Sequence, residues 1–321
     1  MPVRPSRAGD AAPSALPAAG LAPAPEAPAR LRVGVIGAGR VGSVLGAALA
    51  AAGHDVVAAA GLSAATRERA ARLLPGVPLR PADEVVADSD LVVLAVPDDT
   101  LPGLVTGLAE TGRWRRGQLV FHTSGAHGLA VLEPAERAGV LPLALHPAMT
   151  FSGGPEDAQR LSASPFGVTS RPEHRAVAEM LVLEMGGEPF WVAEADRRLY
   201  HAALVTGANH LVTLVAEAAD LLRTAGVDAP ARVLGPLLTA ALDNGLRRGD
   251  RGLTGPVSRG DVGTVRDHLE TLAERAPESV DAYVALARRT TERALAAGRL
   301  RRQEADPLLD LLDGSAEEAA R

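Results

Sequence analysis

The residues whose spacing speaks most directly to chemistry are Gly37-Ala38-Gly39-Arg40-Val41-Gly42. Gly37 permits a tight turn, Gly39 lets a phosphate approach bare main chain, and Gly42 lets the next helix pack closely on the preceding strand. The first N–H groups of that helix and its positive dipole end attract phosphate oxygens. The flanks agree. Residues 31–36 are a short run rich in β-branched Val and Ile, apolar residues at 41, 44, 45, 48, 49 and 52 keep helical spacing, and Gly53 precedes a second strand over 55–60. A plain strand–helix turn would also use such glycines, but correct flanks on both sides favour a dinucleotide site.

NAD-binding folds usually end their second strand in a carboxylate that holds the ribose hydroxyls. Here the strand ends Ala59-Ala60-Gly61-Leu62-Ser63, with Thr66, Arg67 and Arg69 just beyond. Ser63, Arg67 and the loop residue Arg40 suit a 2′-phosphate, because a guanidinium can grip two oxygens at once. NADP(H) is therefore the expected cofactor, although a solvated helix face explains Arg67 or Arg69 taken singly. Val96-Pro97, just after the next strand, is expected to lie beneath the nicotinamide.

A second group of polar residues follows strand ends or interrupts an apolar helix. Ser124 lies in the loop 122–128 and His146 precedes Pro147. In the helical pattern over 196–225, His201, Val205 and Asn209 are four apart, and Asn209 shares a face with Thr206 and Thr213. They either face a substrate or satisfy one another across a dimer seam. Arg259 can clamp a carboxylate with Asp261 orienting it, or Asp261 can simply cap the helix that starts at Val262. His146 has a similar alternative, a hydrogen bond to backbone, and His122 and His127 read as structural.

Composition bounds the rest. The 321 residues are 47% apolar and 22% charged, enough for a sizeable core, and with only 2% aromatics that core must be Ala, Val and Leu. A balance of 33 basic against 39 acidic residues, net −6, lacks the basic footprint of a nucleic-acid binder. There is no Cys, which removes disulfides, thiolate metal sites and a cysteine nucleophile and fits a cytoplasmic location. No His-rich ligand spacing occurs, so no metal is expected. Nor is there any Lys; every basic residue is Arg.

Prolines at 2, 5, 13, 17, 23, 25 and 28 make residues 1–30 an Ala/Pro-rich leader, expected to be disordered and unable to serve as a secretory signal. Strand patterns at 91–96, 119–121, 141–145, 166–169 and 189–192 alternate with helical ones, which predicts α/β architecture with a Rossmann-type parallel sheet over 31–193. From 194 to 302 the strand signals stop. Helices are expected at 196–225, 229–247, 262–276 and 279–297, an all-helical substrate and dimerisation domain forming the second wall of a cleft. Residues 303–321 read as an acidic tail that frays. The best apolar stretch, 202–219, is interrupted by five polar residues, so no membrane span is expected.

The pairing of GlyAlaGlyArgValGly (37–42) with a later helical domain resembles the 6-phosphogluconate dehydrogenase-like superfamily. More narrowly, four segments resemble a bacterial group of Rossmann-like proteins whose C-terminal domain is of unknown function. They are HisThrSerGlyAlaHisGly (122–128), LeuHisProAlaMetThrPhe (145–151), TyrHisAlaAla (200–203) with a following Asn, and LeuThrGlyProValSerArgGlyAsp (253–261). The likeness runs from Leu31 to about Arg301. Within the superfamily the helix is similar to that of ketopantoate reductase, where a Lys opens a series ending Asn-Pro-Leu-Thr-Ala-Leu. Residues 209–214 match that end, His201 stands where the Lys would, and the family's intermediate Asn falls on Val205, a departure. Ser124-Gly125 matches the position where the superfamily holds a substrate carboxylate or hydroxyl.

What the resemblance implies is an NADP(H)-dependent oxidoreductase reducing a small carboxylate-bearing carbonyl compound, a ketopantoate-like 2-oxo acid first. An imine- or prephenate-type dehydrogenase is the enzymatic alternative, and a non-catalytic NADP-responsive binding protein is the alternative from another class. In those relatives a Lys protonates the carbonyl oxygen. A chain without Lys needs another acid, and His201, with His146 as runner-up, is the expected one. Asn209 and Ser124 complete the expected catalytic set, and Thr206, Arg259 and Asp261 the substrate contacts. A homodimer through the helical domain is expected, with neither nucleic acid nor membrane as partner.

Overall fold

The computed structural model describes residues 30–319, so the leader expected over 1–30 lies, Arg30 apart, outside the described residues. Contacts divide the chain into two units, one ending at Tyr200 and one starting at His201. That division falls seven residues beyond the 193/194 boundary expected from the end of the strand signals. The turn Glu194–Asp196 and the start of the next helix pack on the sheet unit, through the Glu194, Arg197 and Tyr200 side chains described below.

In the first unit strands and helices alternate: β1 (Arg32–Ile36), α1 (Arg40–Ala51), β2 (Asp55–Ala60), α2 (Ala64–Leu73), α3 (Ala82–Asp88), β3 (Leu91–Leu94), α4 (Leu101–Glu110) and β4 (Leu119–His122). They continue with α5 (Glu133–Glu136), β5 (Leu141–Pro147), α6 (Glu156–Leu161), β6 (Pro165–Ser170), α7 (Arg175–Glu184) and β7 (Glu188–Trp191). The sheet is seven-stranded, ordered β2-β1-β3-β4-β5-β6-β7. Side chains alternate between its faces as a strand's two-residue period requires. Val33, Val35, Val93, Phe121 and Leu143 pack with Leu45 and Leu49 of α1, while Val92, Leu94 and Val120 pack with Leu101 and Val105 of α4. Covering on both faces explains why 91–94 reads as an unbroken apolar run.

β1 sits between β2 and β3, so the chain leaves β1 in one direction and returns on its other side. That reversal opens a crevice at the carboxyl ends of β1 and β3, the place where open α/β sheets bind ligands. One correction concerns direction: β6 runs antiparallel to β5, with Pro147 opposite Phe166 and Leu143 opposite Ser170. The segment 148–164 brings the chain back to the edge it left. It is held by Asp157, whose buried carboxylate accepts from Gly153 N (2.7 Å) and Ser152 Oγ (3.0 Å).

Helix α8 (Arg197–Leu204) leads through a π-helical turn, Val205–Asn209, into α9 (His210–Thr224). The second unit continues with α10 (Pro230–Arg248), α11 (Pro256–Arg259), α12 (Val262–Arg275), α13 (Val280–Ala296) and α14 (Arg302–Ala319). Its core joins Val265 and Leu269 of α12, Val284 and Ala287 of α13, and Leu308 and Leu312 of α14. Of the tail expected to fray over 303–321, residues 303–319 are helical instead, and the last two lie outside the described residues. Ala305, Leu308 and Leu312 recur at helical spacing and are fully buried.

Helices α9 and α10 differ from the rest. No residue of α9 is buried, and Val212, Leu237, Leu242 and Leu246 are 70%, 62%, 54% and 79% exposed. The continuous helical stretch Glu194–Thr224 is 31 residues long, with a mean hydropathy of 1.3 over its most apolar segment, so it is long and apolar enough to cross a membrane. That holds by length and composition alone; Thr206, Asn209, His210, Thr213 and Glu217 interrupt the apolar run 202–219 within it.

Candidate functional site

The glycine loop is built as its spacing demands. Gly37 has φ +88°, and a Cβ there would lie 2.4 Å from the Ala95 carbonyl oxygen. Only glycine fits where the loops after β1 and β3 come so close. Gly37 N and Ala38 N both donate to Ala60 O at 3.0 Å, tying the loop to the end of β2. A Cβ on Gly42 would sit 2.3 Å from Gly37 O, which is why α1 can begin so near the strand. Gly39 is different. Its nearest neighbour to a built Cβ is 3.9 Å away, so the space beside it is open. Gly39 stands at the N-cap of α1 with no side-chain cap, and the amides of Arg40 and Val41 head that helix.

Beside the loop lies a cavity of about 680 Å³ lined by Gly37, Gly39, Ala60 to Ser63, Thr66, Arg80 to Ala82, Ala95 to Pro97, Thr100 and Leu104. It contains Val96 and Pro97 at one side and Ser63 at the other. Bare backbone, an apolar lining and an uncapped helix terminus fit a dinucleotide: pyrophosphate at Gly39, adenine against aliphatic side chains. Leu62, 96% exposed, is an apolar surface for a base to cover.

Among the described residues no carboxylate lines the cavity near Ser63. Ser63 caps α2, its Oγ accepting from Thr66 N at 3.1 Å, and Arg67 Nη1 donates to Leu62 O at 2.7 Å. Arg40 and Arg69 lie against Gly153, where a Cβ would meet the Arg40 Cγ at 2.8 Å and the Arg69 Nε at 2.6 Å. Arg80 also lines the cavity, paired with Asp88 at 2.7 Å. Sequence reading missed Arg80. It stands beside β2 only because Leu79 bridges Ala59, and its one local sign is flanking prolines that keep 78–81 extended.

Ser124 follows β4. Its buried hydroxyl accepts from Ala126 N (3.2 Å) and His127 N (3.0 Å), so it shapes the turn and has its own proton left to donate. His122 is fully buried, with Nε2 on Gly128 O at 2.8 Å and Nδ1 accepting from Ser124 N at 3.2 Å. Burial drives its pKa down to about 3, so the ring is neutral at pH 7. His127 Nε2 meets Asp98 O at 3.2 Å. Both rings brace backbone.

His146 belongs to a cluster that forms where α8 crosses the β5–β6 pair. His146 lies opposite Gly167 in the ladder. The Tyr200 hydroxyl is 2.7 Å from His146 Nδ1, the rings meeting edge to face at 5.5 Å. Burial pushes the Tyr200 phenol up to about 12, so the hydroxyl keeps its proton and shares a neutral hydrogen bond with the imidazole. A Cβ on Gly167 would fall 2.7 Å from that hydroxyl. One turn earlier, Arg197 is 1% exposed and donates Nη1 to Gly167 O at 3.2 Å. Desolvation lowers its pKa to about 10, leaving it charged. Sequence reading named neither Tyr200 nor Arg197 as a site residue. The available signal was their three-residue spacing, which puts both on one helix face.

The remaining candidates lie in the second unit. His201 follows Tyr200 in α8; Thr206 and Asn209 occupy the π-helical turn, a feature frequent at functional sites. Thr206 Oγ1 donates to Ala202 O at 2.8 Å. Arg259 directs Nε and Nη2 at Asp261 Oδ2, at 3.2 and 2.9 Å. Asp261 stands at the N-cap of α12, but its side chain makes no cap hydrogen bond. Among the described residues no cluster of three or more His, Asp or Glu offers a metal site.

The class that this fold and crevice define agrees with comparison to known proteins. Residues 22–147 match the model of a Rossmann-like domain, and residues 164–290 match that of a domain of unknown function (DUF2520). Among solved structures the chain is similar to a candidate NADP oxidoreductase from Bacteroides fragilis, at 24% identity and TM-score 0.68, covering 82% of this chain and 98% of that one. It is also similar to an imine reductase from Myxococcus stipitatus in complex with NADP+, at 21% identity and TM-score 0.56, over 81% and 94% of the two chains. A third is a reductive aminase from Aspergillus terreus in complex with NADPH and ethyl-5-oxohexanoate, at 17% identity and TM-score 0.55, over 90% and 95%. Comparison with curated proteins gave no match. The shared property is the fold: a Rossmann-like sheet unit followed by helices.

Proposed function

We propose that this chain is an NADP(H)-dependent oxidoreductase that reduces a small carboxylate-bearing carbonyl compound. The observation that carries this reading is the open side of Gly39, at an uncapped helix N-terminus, beside an apolar cavity at the sheet's switch point. The solved structures similar in fold, two of them with NADP+ or NADPH, support it. Gly37, Ala38, Gly39, Arg40, Val41 and Gly42 would hold the pyrophosphate. Ser63 and Arg67, with Arg40, would favour a 2′-phosphate over a free ribose, since no carboxylate stands after β2. Val96 and Pro97 would back the nicotinamide. Bound there, the cofactor supplies a hydride.

The chain's own residues would supply the proton and the grip. His201 is the first candidate acid and His146 the second, imidazole being the side chain best suited to that role in a chain without Lys. Ser124 keeps a hydroxyl proton for a substrate oxygen, and Asn209 and Thr206 offer polar groups from the π-helical turn. Arg259 and Asp261 remain substrate candidates, though here they pair with each other. The exposed apolar faces of α9 and α10 favour a second copy of the chain as the macromolecular partner. The protein with NADPH and a panel of 2-oxo acids, ketopantoate first, should lose absorbance at the nicotinamide band.

An imine substrate is the second reading, favoured by the fold likeness to the imine reductase and reductive aminase. Turnover on cyclic imines but on no oxo acid selects it. Tight NADPH binding without turnover on either panel makes the chain a cofactor-responsive binding protein.

A further inference from the structure

The guanidinium of Arg197 is built into the protein and left incomplete. Nη1 is satisfied by Gly167 O, but Nε and Nη2 are buried without a hydrogen-bond partner. These two nitrogens form one edge, the edge with which Arg171 grips Glu136 (3.1 and 2.9 Å) and Arg259 grips Asp261 (3.2 and 2.9 Å) in this same chain. On the exposed surface such pairs contribute little. In the interior an unpaired charge is costly, and a carboxylate opposite it matters most. Among the described residues none pairs with it. The one nearby acid, Glu194, spends its carboxylate on Leu129 N (2.7 Å) and Ala130 N (3.1 Å). The other groups around Arg197 are His122, His146 and Tyr200, none of them an anion at neutral pH.

We propose that the Nε/Nη2 edge of Arg197, beside the Tyr200–His146 pair, is the receptor for a small-molecule carboxylate. A planar anion with two oxygens gives each of two parallel N–H groups its own acceptor, where a water or chloride would have to share one between them. That the carboxylate belongs to the substrate rests on the oxidoreductase reading; its capture by Arg197 does not. The assignment gives the substrate's anionic end to α8 in place of Arg259, whose matching edge Asp261 already holds.

The test is an NMR titration of the full-length protein labelled with ¹⁵N at arginine, following the Arg197 Nε–H resonance, assigned by its loss in Arg197→Lys. Acetate and 2-oxoisovalerate, taken through roughly 0.1 M, a hundred times a millimolar Kd, should move that resonance downfield and saturably, with 2-oxoisovalerate the tighter. Acetamide and chloride at matched ionic strength should not. Arg197→Lys should weaken 2-oxoisovalerate binding at least about tenfold, since a point charge replaces a fork. No shift with either carboxylate, or an equal shift with chloride, overturns the proposal; where Arg197→Lys fails to fold, the resonance is assigned by its loss in Arg197→Gln, and the absence of a carboxylate response at every arginine Nε–H overturns the proposal without any assignment. NADPH fluorescence is followed in the same samples. Binding of NADPH with no carboxylate response sinks the Arg197 assignment alone; a carboxylate response without NADPH binding sinks the redox reading alone.

Discussion

The glycine loop and the Arg197 cluster sit on the same sheet unit and solve opposite problems. The loop makes a site by removing side chains: Gly37 and Gly42 have no room for a Cβ, while Gly39 has room that is kept empty. The cluster makes one by packing side chains around a buried Arg197, with Tyr200 and the half-buried His146 drawn together over Gly167. Glycine serves both, in the loop as open backbone and in β6 as a gap for a phenol. The lesson is that a backbone site is local in sequence, whereas a buried polar site is assembled from segments 30 and 54 residues apart.

The largest effect expected on the loop side is from Gly42→Ala. Its Cβ would press on the Gly37 carbonyl, and overpacking against backbone should cost about 3 kcal/mol of unfolding free energy in urea titrations. A comparable effect belongs to the side-chain region and depends on pH. His122 has a folded-state pKa of about 3 against an ordinary 6.5, so the unfolded chain takes up its proton first as pH falls. Its contribution is complete above pH 6.5 and is lost progressively towards pH 3. About 3 kcal/mol should therefore disappear between pH 7 and about pH 4.5, and His122→Gln should flatten that part of the pH dependence. An unchanged slope in the variant would assign the acid sensitivity elsewhere.

Gly39→Ala sharpens the contrast. The structure has space for the methyl group, so stability should shift by less than about 1 kcal/mol. The methyl would nevertheless occupy the phosphate approach, and NADPH should bind at least about tenfold more weakly, roughly 1.4 kcal/mol. Equal losses of stability and binding would make the loop a structural turn. Smallest is Tyr200→Phe, which removes one hydrogen bond to His146 and should cost about 1 kcal/mol in thermal or urea unfolding.

The same contrast explains what the sequence made legible. Fingerprint, strand order of hydrophobic runs and the change from strands to helices were all visible, because each depends on residues within one or two turns of one another. Arg197 was not. In Asp196-Arg197-Arg198 it reads as a solvated helix start, and only Gly167 O on β6 makes it interior. The antiparallel β6 was hidden for a related reason: its direction is set by the return path over 148–164 and the buried Asp157, and the strand pattern itself is the same either way. Helix α14 was masked by its acidic composition, although Leu308 and Leu312 carry the stripe that buries it. Ser124 was legible as a residue and not as a role, since its hydroxyl serves two amides of its own turn.

The central claim is that the amides around Gly39 hold a pyridine dinucleotide. Calorimetric titration of the folded full-length protein tests it most directly. NADPH should bind saturably at one site per chain, with NADH at least about tenfold weaker for want of a 2′-phosphate. Absence of binding by either nucleotide to well-folded protein would contradict the account.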